Sequence, residues 1–122
     1  MRRRLWAMAM AVGIGAGLAM AARTGYSRVF AMPESGEVEI VNSQANTVWR
    51  LGEVAVVFPD TASRTVTVYR VSGEMEYPIA AKSATARTFV YEFEAGYWSG
   101  MSNGVKVVAR PASTGLVEAI YE

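Results

Sequence analysis

From residue 37 onward, this 122-residue chain never sustains the 3.6-residue period of an amphipathic helix. Its apolar residues come instead in short β-branched and aromatic runs, broken by Gly, Pro, Asn, Asp or Ser. Eight runs read as strands: residues 37–41, 47–51, 53–58, 65–71, 74–79, 87–94, 105–110 and 116–121. Pro59-Asp60, Ser72-Gly73 and Asn103-Gly104 supply turn signals between them. Each strand has to hide an apolar face. Residues 37–122 suffice for two packed sheets, whereas a lone open sheet would leave one such face wet. The expected fold is therefore all-β: a small antiparallel β-sandwich of about seven to eight strands.

Because successive side chains of a strand point to opposite sides, several faces can be assigned. Phe89, Tyr91 and Phe93 share one face and are expected inside, opposite Thr88, Val90, Glu92 and Glu94. Val54, Val56 and Phe58 also share a face, but Ala55 and Val57 make the other side apolar too. That strand reads as central or covered on both sides. Trp49, inside an apolar run, is assigned to the core. Residues 65–71 and 116–121 leave their register open.

The N-terminus has a different character. Residues 5–22 are eighteen consecutive residues without a charge, preceded by Arg2, Arg3 and Arg4. As a helix they would span about 27 Å, close to the ~30 Å of a hydrocarbon core. Two readings stand side by side. One is a signal-anchor retained as a single-pass membrane helix, with the N-terminus cytoplasmic and everything after Arg23 outside. The other is a secretory signal cleaved after Ala21, within Ala19-Met20-Ala21, which would make the body secreted or periplasmic. Small residues spaced four apart, Ala9, Gly13 and Gly17, would let another helix pack closely in the membrane. Gly13 to Gly17 is not a nucleotide-binding loop, since no strand precedes it. Residues 23–36 mix turn formers without a period and are expected to be a linker or stalk, with the sandwich beginning at residue 37.

Composition narrows the function. Residues 1–33 hold five arginines and no acid, while the remainder pairs seven bases with all eleven acids, a net of −4. Nucleic acid is therefore not an expected partner. With no Cys and no His, the chain has neither a disulfide nor the usual zinc ligands, and no imidazole to relay a proton. A Ser-Lys dyad would need a desolvated lysine. Lys82 lies in the polar stretch Ala80-Ala81-Lys82-Ser83-Ala84-Thr85, read as a connection, and Lys106 alternates outward between Val105 and Val107. No catalytic residue, metal ligand or cofactor is expected.

Two features bear on contacts. Glu37 with Glu39, Glu74 with Glu76, and Glu92 with Glu94 are Glu-x-Glu pairs, each on one strand face. They read as a solvated outer surface and a charged guard against edge aggregation, ahead of a calcium site or a hydrolase pair. Tyr97 and Trp98 precede a Gly- and Ser-rich stretch and read either as the end of the core or as a partner-contacting tip.

The run Thr88-Phe89-Val90-Tyr91-Glu92-Phe93, then Tyr97-Trp98, Gly104-Val105-Lys106-Val107-Val108 and Ser113-Thr114-Gly115-Leu116-Val117, resembles the closing strands of small β-sandwich virion proteins of bacterial viruses. It covers about a quarter of the chain. The resemblance implies a structural role with no catalytic residues to carry over, in a virus with an internal membrane or an assembly crossing the host envelope. The expectation is thus a non-catalytic structural or assembly protein, a membrane-anchored β-sandwich that contacts membrane lipid and other protein subunits within a larger assembly. The alternatives are a secreted or periplasmic module binding carbohydrate or peptide, and an accessory subunit held through Gly13 and Gly17.

Overall fold

The computed structural model describes residues 26–42, 48–99 and 103–121. They form six antiparallel strands: β1 (Tyr26–Met32), β2 (Glu37–Val41), β3 (Trp49–Ser72), β4 (Met75–Ser99), β5 (Asn103–Arg110) and β6 (Gly115–Tyr121). Residues 1–22, including Ala9, Gly13 and Gly17, lie outside the described residues. Among the described residues, no helix is long and apolar enough to cross a membrane.

One strand organises the whole sheet. Along one edge β3 pairs with β4 almost end to end, in a hairpin closed by Gly73 and Glu74 with Gly73 at φ +63°. Along its other edge, residues 51–57 of β3 pair with β6 and residues 65–72 pair with β5. β1 then adds to β6 and β2 to β5, giving the order β1-β6-β3-β5-β2 with β4 beside β3. Between the two halves of β3 the register breaks: Val57 is opposite Thr88 and Ala62 opposite Ala86, so four residues of β3 face Arg87 alone. The extra length bends the hairpin. The expected turn at Pro59-Asp60 is this bend, inside a continuing strand.

Folding at the bend brings the inner faces of the two halves together. Val54, Val56 and Phe58 meet Phe89 and Tyr91, Val66 and Val68, Val105 and Val107, and Val117 and Ala119, all buried in one cluster. Phe58 and Phe89 meet edge to face at 5.8 Å. Two phenols tie across this core. Tyr121 Oη donates to the Ile40 carbonyl of β2 at 2.6 Å, and Tyr91 Oη donates to the Val66 carbonyl at 2.5 Å. Burial pushes the Tyr91 hydroxyl up to about 12. The bend is held by Arg64, buried over the Phe58 ring at 4.2 Å, which donates to Asp60 at 2.6 Å and Ser113 at 3.2 Å.

The all-β antiparallel class is as expected, but the architecture is one continuous sheet folded over, nearly barrel-like, in place of two separate sheets. Three runs expected as separate strands at 47–51, 53–58 and 65–71 fall in one strand, Trp49–Ser72, as those at 74–79 and 87–94 fall in another, Met75–Ser99. Residues 80–86, read as a connection, lie inside β4 in unbroken register with residues 62–68. Cross-strand hydroxyl pairs, Ser63 with Thr85 at 2.5 Å and Thr65 with Ser83 at 2.7 Å, do there what apolar side chains do elsewhere. The expected stalk at 23–36 is likewise corrected over residues 26–32, which form β1. Phe30 packs against the core and Met32 is inside it, while Ser27, Val29 and Ala31 face outward.

The chain then turns at Gly36. Its φ is +75° and its N–H donates to the Pro33 carbonyl at 2.9 Å, while its own carbonyl accepts the Ala109 N–H at 2.7 Å. A Cβ here would come within 2.8 Å of the Ala109 carbonyl oxygen. Only glycine has both the conformation and the room.

Candidate contact surfaces

With the inner faces sealed against each other, the outer faces are left to meet other molecules. On the first half of the sheet, register arranges the outward residues of β1, β6, β3 and β4 in three cross-strand rows. The first row is Ala31, Leu116, Val57 and Thr88; the second is Val29, Glu118, Ala55 and Val90; the third is Ser27, Ile120, Glu53 and Glu92. Leu116 is 53% exposed, Val57 41% and the neighbouring Val29 63%. Single exposed apolar residues are ordinary, but these three are adjacent across three strands.

Acids border this apolar corner. Glu118 has its carboxyl held above the usual carboxylate range, first by burial and then by the charge of Glu53, with a hydrogen bond from Ser27 acting the other way. Glu53 is itself 2% exposed. Ile120 of the third row is 2% exposed as well, so this face offers outward the corner of Val29, Val57 and Leu116, with Ser27 and Glu92 exposed at its far end.

The outer face of the second half is polar and tied internally. Lys106 of β5 reaches Glu37 of β2 at 3.1 Å and Glu76 of β4, spanning the width of this half. Arg110 also holds Glu37, and donates to the Ser35 carbonyl at 2.9 Å. The bond from Lys106 is the main reason the Glu37 carboxyl sits below its ordinary value; the same bonds, that to Glu76 first, hold the Lys106 ammonium above its own. Two of the Glu-x-Glu pairs therefore contribute one residue each to a clasp, which strand-by-strand reading does not reveal. Among the described residues, no group of three or more acids, histidines or cysteines is placed to hold a metal ion.

Tyr97 and Trp98 are neighbours near the end of β4, opposite Leu51 and Arg50. The Tyr97 ring is half-buried, packs against the core and lies 6.0 Å from the Phe93 ring. It closes the end of the core, one of the two readings open for it. Trp49 is half-buried against Tyr121 at 5.2 Å. Lys82 lies over the Tyr91 ring at 5.3 Å and donates to the Val90 carbonyl at 2.5 Å. The exposed corner of Val29, Val57 and Leu116 escapes a reading from sequence because it needs the register of β1 and β6.

No protein-family model matches the chain, and no curated protein does. Among solved structures, the chain is similar to PirA, with a TM-score of 0.47 and 14% identity over 80% of this chain and 94% of that one. It is also similar to the Yersinia pseudotuberculosis-derived mitogen YPM, with a TM-score of 0.37 and 22% identity over 80% of this chain and 83% of that one.

Proposed function

We propose that the chain is a non-catalytic structural or assembly protein whose all-β body works by contact. In this reading residues 5–22 hold it in a membrane, with the N-terminus cytoplasmic and the body outside, as a minor component of an envelope-crossing assembly such as a bacterial virus particle. The observation that carries the reading is the exposed apolar corner of Val29, Val57 and Leu116 on the outer face of the folded-over sheet. Such a corner favours a protein surface over a soluble ligand, because exposed apolar residues grouped across adjacent strands are what a protein partner covers. The length and apolarity of residues 5–22, and the arginines before them, support the membrane anchor.

Fractionation of the native source, with intact-mass measurement and identification of co-purifying chains after mild detergent extraction, tests this. The full-length chain is expected in the membrane or particle fraction together with other subunits. A soluble species lacking residues 1–21, with no companion chain, would replace the proposal by the secreted-module reading.

A further inference from the structure

β4 is the one long strand that pairs on a single edge, with β3, among the described residues. Strand edges left open invite another strand, and proteins normally blunt them with proline, bulges or charge. β4 carries such devices at two places. Pro78 and the extra residue Ile79 interrupt the ladder on one side, and the bend at Arg87 interrupts it on the other. Between them, residues 80–86 run in register with β3 without a break, and residues 81–85 are all exposed. Their side chains are small on both faces except for Lys82, whose ammonium is folded back onto the Val90 carbonyl and the Tyr91 ring.

We propose that this open edge pairs with the same edge of a second copy of the chain, antiparallel about a two-fold axis at Ser83. The occupant follows from self-complementarity. With Ser83 opposite Ser83 of the second copy, Lys82 falls opposite Ala84, Ala81 opposite Thr85 and Ala80 opposite Ala86. The only charge in the segment meets an alanine, never its own copy. An axis perpendicular to the sheet keeps each pair on one face, so the hydroxyl row of Thr65 and Ser83 continues across the junction. The interval between the two interruptions, seven residues, limits the junction to a short ladder. That suits a weak association reinforced by confinement in one membrane or particle. The inference names a partner for the contact role proposed above, and it stands or falls separately from the anchor.

The chain has no cysteine, so a single introduced one reports only on contacts between copies. Full-length Ser83→Cys, Ala81→Cys and Thr85→Cys proteins are oxidised in nonionic detergent, each alone and with the last two mixed. Across the axis the two Cα atoms at position 83 lie about 4.5–5.5 Å apart, within disulfide range. The two at position 81, or the two at 85, lie about 13 Å apart at 3.3 Å per residue, beyond it.

Ser83→Cys is expected to give about tenfold more disulfide dimer than either of the others alone. The mixture is expected to give a heterodimer joined between positions 81 and 85. Equal yields at all three positions, stronger linking at 81 or 85 alone, or no linking at any of them would overturn the pairing. These outcomes do not depend on whether the chain is recovered from a membrane.

Discussion

Removing the hydroxyl of Tyr121 probes how the folded-over sheet is fastened. Ile40 sits at the register shift between Glu39 and Val41 and has no partner residue in β5. Its carbonyl instead accepts the buried Tyr121 hydroxyl at 2.6 Å. Tyr121→Phe keeps the ring, which is 2% exposed and packs against Trp49, so the change leaves volume nearly constant. What is lost is one net hydrogen bond, and what remains is a buried carbonyl without that donor. The expected cost is about 1–3 kcal/mol.

Tyr91→Phe provides the internal comparison. Its acceptor, Val66, lies in a stretch of β3 that is paired on both edges, with Lys82 and with Ala109. There the phenol adds to a backbone already served by the ladder, so the cost should fall near the lower limit, about 0.5–1 kcal/mol. Urea unfolding of the full-length protein in a mild nonionic detergent, followed by tryptophan fluorescence, gives both values, with the slope expected to stay unchanged. A Tyr121→Phe loss below about 0.3 kcal/mol, or a Tyr91→Phe loss that matches or exceeds it, would refute the reasoning.

Replacing Glu118 by Gln should stabilise the protein at neutral pH and do nothing in acid. Its folded-state pKa is raised, so ionisation opposes folding, and the advantage of Gln should vanish as pH falls through that raised value in a series of melts. Glu37 has the opposite sign: its lowered pKa contributes stability above the ordinary carboxylate value, which is lost as pH falls through the folded one. Lys106→Met should therefore flatten that acid limb of the stability curve while costing under about 1 kcal/mol at pH 7, because the clasp is partly exposed; a larger loss would show the clasp to be structural. Arg64→Met should cost about 2–3 kcal/mol, since it removes a buried guanidinium from the Phe58 ring and from Asp60 and Ser113 while stranding no buried acid. An unchanged melting temperature would mean the bend needs no clamp.

The inward face of β4 was plain from the chain itself, because the alternation of Phe89, Tyr91 and Phe93 with polar neighbours is a local signal. So was the central position of Val54, Val56 and Phe58, whose strand is apolar on both sides and is paired on both edges. Lys106 points outward as its alternation with Val105 and Val107 requires. Three things were hidden for one physical reason, that they depend on residues far away in sequence. β1 alternates only when seen beside β6, since its own outward face carries Val29. Residues 80–86 look like a loop because hydroxyl pairs with Ser63 and Thr65 substitute for apolar burial. The Glu37 clasp joins residues separated by 30 to 73 positions, so no pattern of adjacent acids can announce it.

The placement of β6 between β1 and β3 carries a consequence for how the molecule is made. β1 is the first of these strands to be synthesised, yet among the described residues the one strand it pairs with, β6, is made about ninety residues later. Until then β1 lacks the strand that pairs it to the sheet, and Phe30 and Met32 are not held in the core by a ladder. Closure is thus a late event that waits on the final strand and on contacts of long sequence separation.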